Sequence, residues 1–236
     1  MIITLVSNID KEEFKKTKSL LESKIYTGEI KNNALPNIPD PIMRENPKTE
    51  TIFLKDKMQS DVYLSHTGAL KRTDPDFYKV NLANYILGGS SLSSRLSKKV
   101  RDANGLTYTI YSYVSATHGK GEFAIYFGSN NKNVNKALEL TKEEFEKFTK
   151  NGITANELER AKRSLIDSFI SRNWATYKNI SNTLTGVEFY NLGKDYITNY
   201  PKIINSIKVS DINSAIKKYF HPDKLNIVIS GEYKKS

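Results

Sequence analysis

The chain contains no cysteine. That excludes disulfides, thiolate nucleophiles and cysteine-ligated metals, and leaves the compartment open. Histidine is nearly as scarce. His66, His118 and His221 are the only three, and neither His-x-x-Glu-His nor its reverse occurs, so a self-contained zinc site is not expected. There is no Gly-x-Ser-x-Gly either, and with it goes the usual signature of a serine nucleophile. No run approaches the roughly 18 apolar residues of a membrane span. The opening Met-Ile-Ile-Thr-Leu-Val-Ser-Asn lacks a basic stretch followed by an apolar one. No secretory signal is read from it, which points to the cytoplasm, or to the periplasm if a leader has been removed.

What is present suits a folded protein. With 236 residues, 38% hydrophobic and 11% aromatic, the chain can bury the core of one large domain, or of one domain plus a fragment. The 36 Lys and Arg outnumber 26 Asp and Glu, a net charge of +10. The lysines are scattered through a Lys-, Asn- and Ile-rich composition and match no nucleic-acid-binding motif, so no nucleic-acid partner is expected.

Residues 2–6 read as a short strand. Asp10 with Glu13 resembles a capping box, opening a helix to about Ser23. Tyr26 to Glu50 holds four prolines (Pro36, Pro39, Pro41, Pro47) and reads as an extended connector. The expected division is thus 1–50, a terminal strand and helix of a preceding domain plus linker, and 51–236, a second domain. Strands are predicted at 51–55 and 61–67, and a helix from Asp74-Pro75 that carries Val80, Ala83 and Leu87. Gly88-Gly89 is expected to stop that helix through left-handed backbone. Serines 90–94 should cap a second helix with an apolar stripe of Leu92, Leu96 and Val100. Strands at 106–115 and 122–128 come next, the second alternating Phe123, Ile125 and Phe127. Helices are then predicted to about Gly152, from Thr154, over 174–192, over 195–207 and from Ser210, with a closing strand at 224–230. Paired strands separated by helices indicate an α+β fold with a mixed or antiparallel sheet.

Two residues stand out for chemistry. Arg101 and Tyr108 flank the turn Ala103-Asn104-Gly105, where a helix end meets a strand start. A cation and a phenol so placed can grip a peptide carbonyl together, although neither hydrolyses anything alone. Strand parity alone would put Tyr108 on the side of Ile110 and Val114.

The string Asn84-Tyr-Ile-Leu-Gly-Gly-Ser-Ser-Leu-Ser-Ser-Arg-Leu96, with Val100-Arg101 and Gly105-Leu-Thr-Tyr108, resembles the C-terminal domain of the pitrilysin/insulinase zinc metallopeptidase family, which includes the mitochondrial processing peptidases. Gln59, Gly68, Arg72, Asp74, Pro75 and Phe77 fit the same lead-in. The resemblance implies a processing-peptidase-like metallohydrolase sandwich, with helices on one face of the sheet. It implies that Arg101 and Tyr108 steady the substrate in the transition state, and that Gly88, Gly89, Ser90 and Arg95 bind substrate. It implies no cofactor in this chain, zinc on a partner, and as partners a peptide and a homologous chain or domain bearing His-x-x-Glu-His. The chain is then the non-metal-binding half of a peptidase and inactive alone. The alternatives are a structural subunit and a truncated remnant.

Overall fold

The computed structural model describes residues 2–25 and 38–233. Five strands form one sheet among them: β1 (Thr49–Phe53), β2 (Gln59–Thr67), β3 (Thr107–Ala116), β4 (Lys120–Asn130) and β5 (Asn226–Gly231), in the order β1-β5-β2-β4-β3. β1 runs parallel to β5, and every other pairing is antiparallel. The mixed sheet and the α+β class are as expected.

Alternation decides which face is buried. Val62, Leu64 and His66 of β2, Phe123, Ile125 and Phe127 of β4, and Ile227 and Ile229 of β5 are all buried. Side chains two apart share a face of a strand, so these residues build one continuous apolar surface. The helices α2 (Phe77–Asn84), α3 (Val134–Asn151) and α7 (Val209–Tyr219) cover it. Aromatic rings pin them there: Phe123 stacks on Phe145 at 5.0 Å, and Phe220 meets Phe123 at 5.0 Å and Phe148 at 5.7 Å. The opposite face bears Tyr63, Tyr111, Tyr113 and Tyr126, where Tyr126 donates to Asp61 at 2.6 Å. α4 (Ala155–Trp174), α5 (Tyr177–Phe189) and α6 (Tyr196–Ser206) complete the helical layer. α4 opens, after the predicted start at Thr154, on a capping box of Thr154 and Glu157.

Two expectations need correction. Residues 2–6 form no strand. A strand requires a neighbour to satisfy its backbone groups. This segment instead runs along α5, with Thr4 Oγ1 hydrogen bonded to Thr185 Oγ1 at 2.7 Å. α1 (Lys11–Lys24) is capped by Asp10 as predicted, but it buries no residue. α7 is capped at Lys208, not Ser210, because the Lys208 amide donates to Asp211 Oδ2 at 2.8 Å. Of the expected connector, residues 26–37, Pro36 included, lie outside the described residues, and 38–48 carry neither helix nor strand.

His66 is a core residue with both ring nitrogens engaged. Nδ1 lies 3.1 Å from the Thr67 carbonyl, and Nε2 accepts from the His221 amide at 3.3 Å. Burial, with His221 adding a little, lowers its pKa to about 4. The unfolded chain therefore binds a proton from about pH 6.5 downward that the folded chain refuses until about pH 4. Stability is complete above 6.5 and falls as the pH drops through this window, by about 3 kcal/mol. Urea unfolding at pH 7 and pH 4 should show a larger loss for the natural chain than for His66→Gln. Equal losses would contradict this assignment.

Candidate functional site

The site begins where α2 changes winding. Tyr85–Gly89 continues α2 as a π-helical turn closed by the Ser90 amide on the Tyr85 carbonyl at 3.2 Å. A second π-helical turn spans Ser97–Asp102. Such turns insert one residue and re-aim the chain beyond them. Gly88 and Gly89 do not stop the helix through left-handed backbone, since among the described residues the glycines with positive φ are Gly68, Gly105, Gly152 and Gly193. Gly88 is there for closeness. A Cβ on it would sit 2.4 Å from Ser112 Oγ and 2.6 Å from Ser112 N, on the neighbouring β3. The approach is locked by buried Asn84, which accepts from Ser112 Oγ at 2.7 Å and donates to the Ser112 carbonyl at 3.2 Å.

The serine loop is internally bonded. Ser90 Oγ and Ser93 Oγ are 2.6 Å apart, and Ser94 Oγ donates to Ser97 Oγ at 3.0 Å. Leu96 and Val100 are buried as predicted, but Leu92 is 69% exposed and leaves the expected stripe. The residues at 91–93 form a turn, not the first turn of a helix, so helical spacing does not govern Leu92.

Arg101 is the penultimate residue of the second π turn. Its Nε donates to Asp102 Oδ1 at 2.8 Å and its Nη1 to the Ser91 carbonyl at 3.1 Å. Nη2 carries no bond among the described residues and remains a free donor. Gly105, at φ +61°, turns the chain, and the Leu106 amide returns to the Val100 carbonyl at 3.2 Å. Helix end and strand start are thus tied together.

Tyr108 comes two residues later. Parity fails here because the pairing slips between Thr107, opposite Ser129, and Thr109, opposite Gly128. Tyr108 is the extra residue of a β-bulge. Ile110 is buried, whereas Tyr108 is 84% exposed. Thr107 holds the bulge: its hydroxyl bridges the carbonyls of Thr109 (2.7 Å) and Gly128 and accepts from the Thr109 amide at 3.2 Å. Ser129 Oγ fastens the strand entry by donating to the Leu106 carbonyl at 2.6 Å. Thr107 falls within the Gly105–Tyr108 string, but nothing in the sequence reveals its bridging role, or marks Ser129. Thr107→Val strands these buried groups and should lower unfolding stability by about 2 kcal/mol. Urea denaturation reads that directly, and an unchanged midpoint would contradict it.

Arg95 is differently occupied. Nε and Nη2 donate to the two carboxylate oxygens of Glu157 at 2.7 and 2.8 Å, and Nη2 also reaches the Gly152 carbonyl at 2.9 Å. Burial raises the Glu157 carboxyl, but the Arg95 and Thr154 hydrogen bonds outweigh it and leave the pKa at about 2. Such a bidentate pair fastens the serine loop to the start of α4. Arg95 therefore has a holding part here, with Nε and Nη2 bonded within the chain.

The residues do not fit a zinc ion. Among the described residues no group of three or more His, Cys, Asp or Glu could hold a metal. Both His66 nitrogens are spoken for, and His118 lies against Phe189 at 4.5 Å. No described helix is long and apolar enough to cross a membrane.

Comparison with known proteins gives the family and the fold. The family model described as the peptidase M16 inactive domain matches residues 1–165. A relative from Helicobacter pylori, named a non-peptidase homolog YmxG, is 27% identical over 86% of this chain and 48% of its own length. A Bacillus subtilis relative, named an uncharacterized zinc protease YmxG, is 32% identical over 65% of this chain and 37% of its own length. The chain thus spans half or less of these relatives. Among solved structures, the peptidase M16 inactive domain from Pseudomonas fluorescens superposes with a TM-score of 0.83 at 27% identity, over 97% of this chain and 52% of that one. A protease from H. pylori, at 20% identity and a TM-score of 0.76, shares the fold. With 165 of 236 residues matched by the family model, the chain belongs to the peptidase M16 family, as its inactive type of domain.

Proposed function

We propose that this chain is the substrate-positioning half of a two-part zinc peptidase. In this reading it presents Arg101 and Tyr108 to a peptide held against a zinc-bearing His-x-x-Glu-His domain outside the chain. The observation that carries it is Tyr108: a tyrosine pushed 84% into solvent by a bulge that two neighbouring side chains secure. An exposed phenol with no hydrogen bond among the described residues is a donor awaiting an acceptor. The free Nη2 of Arg101 is a second, charged donor, on the turn that leads into the same strand.

Two such donors suit a peptide carbonyl whose oxygen gains negative charge as the bond is attacked. Hydrogen bonds strengthen as that charge grows, so they lower the barrier more than they tighten ground-state binding. Asp102 and the Ser91 carbonyl hold the guanidinium in one orientation, which spares the entropy of fixing it during reaction. The hydrolytic groups lie outside this chain, and no cleavage is expected from it alone.

A direct test mixes the chain with a His-x-x-Glu-His partner from the same source and follows peptide cleavage. Cleavage that depends on adding this chain is expected; a partner equally fast without it would overturn the proposal. A second reading is a non-catalytic interaction subunit. The name of the H. pylori relative favours it, as do the intramolecular bonds that already engage Arg101. Under that reading the partner binds, but Arg101 and Tyr108 leave turnover unaffected.

A further inference from the structure

A cavity of about 330 Å³ lies between α2, α4 and α6, on the helical side of the Gly-Gly turn. Two arginines line it, Arg72 and Arg172, and no Asp or Glu does. An adjoining hollow of about 260 Å³ shares Arg72, Asn173 and Tyr196 and also lacks any carboxylate. This is out of keeping with the rest of the molecule. The partly buried cations Lys79, Arg95, Arg101 and Lys162 each have a carboxylate within 4.0 Å. Among the described residues half-buried Arg72 has none, and neither does Arg172, which is exposed.

Arg72 is also held in place. Its guanidinium carbon sits 3.9 Å from the centre of the Phe77 ring, and the Tyr78, Tyr196 and Tyr190 rings lie 5.6, 5.8 and 6.0 Å away. Its backbone amide is fixed to the Thr117 carbonyl at 2.8 Å. The aromatic faces stabilise the charge and restrain the plane. The Tyr196 ring lies beside the guanidinium, whose five N–H groups all need partners. Arg172 directs Nε to the Ser168 carbonyl at 3.3 Å, and its terminal nitrogens carry no bond among the described residues. A partly desolvated cation without a counter-ion is costly. A planar guanidinium matches a carboxylate with two parallel hydrogen bonds. Leu165, Phe169 and Tyr200 add apolar side chains to a lining that also holds Asn81, Asn84 and Asn173, and Phe169 stacks on Tyr200 at 4.0 Å.

We propose that this cavity binds a carboxylate attached to an aromatic or large apolar group, such as the C-terminal residue of a peptide. Arg72 and Arg172 pair with the carboxylate, and the Phe77 and Phe169 rings take the apolar part. The site does not depend on the Arg101 and Tyr108 reading and needs no partner chain.

The test is a calorimetric titration of the full chain with N-acetylphenylalanine, with its uncharged amide, and with inorganic phosphate. The acid should saturate the chain, with the amide at least roughly tenfold weaker for want of a charge-assisted pair. Phosphate should compete poorly, because it leaves the rings unfilled. Arg72→Gln and Arg172→Gln should each weaken the acid by roughly tenfold. Arg172 is exposed, so Arg172→Gln still decides the matter if Arg72→Gln fails to fold. No saturation by the acid, equal affinity for acid and amide, equal competition by phosphate, or unchanged affinity in Arg172→Gln would each overturn the proposal.

Discussion

Tyr108→Phe is expected to lower peptide cleavage by the assembled peptidase about 10²-fold, the scale for losing one donor to a developing oxyanion. Arg101→Ala should do the same. The reduction should fall on kcat more than on KM, because the lost hydrogen bond matters most once charge has formed. Stability should hardly change for Tyr108→Phe. The side chain is 84% exposed and makes no hydrogen bond among the described residues, and such substitutions usually stay within roughly 0.5 kcal/mol. Thermal unfolding and partner binding, measured beside the rate, separate a chemical loss from a structural one. A mutant that assembles normally and cleaves at the natural rate would leave the non-catalytic subunit as the better reading.

Gly88→Ala should have the largest effect on the fold. The added methyl would sit 2.6 Å from the backbone nitrogen of Ser112 and 2.9 Å from Leu96 Cδ1. A backbone atom in the middle of a strand cannot swing aside, so either the π turn or β3 must shift. The cost should reach roughly 3 kcal/mol, the upper part of the range for overpacking a filled core. For a chain of this size that is a fall in Tm of roughly 6–12 °C. Because β3 carries both Ser112 and Tyr108, cleavage should drop as well. Gly89→Ala is the natural control: its methyl meets the Asn84 side-chain amide at 2.9 Å, and Gly89 itself is exposed. It should cost much less. Equal melting temperatures for natural chain and Gly88→Ala would contradict the close-packing role.

The core was legible because burial obeys a period. Phe123, Ile125 and Phe127 alternate along β4 and are all buried, and Ile212, Ala215 and Ile216 do the same at helical spacing on α7. Thr154 and Glu157 mark a helix start through their own hydrogen bonds, which are local and so readable from spacing. What escaped were departures from period. The bulge at Tyr108 adds one residue to β3, and parity then predicts the wrong side. The π turns add one residue to each helical stretch, and Leu92 leaves its stripe because residues 91–93 form a turn rather than a helix. Gly88 suggested a turn residue, but its reason lies on β3, at Ser112, far along the sequence. Residues 2–6 have the composition of a strand but no strand beside them. Arg95 sits inside the motif that carries the family resemblance, while its bonds go to Glu157 and Gly152, contacts that no local pattern reveals.

The most direct measurement is native copurification of the tagged chain from its own source, with zinc analysis and a peptide-cleavage assay on the eluate. A zinc-containing partner and chelator-sensitive cleavage, with the cleavage lost when Arg101→Ala and Tyr108→Phe are combined in the bait, is the predicted result. Recovery of the chain alone, metal-free and inactive, would contradict a substrate-positioning half in a two-part peptidase, as would full cleavage with the doubly substituted bait.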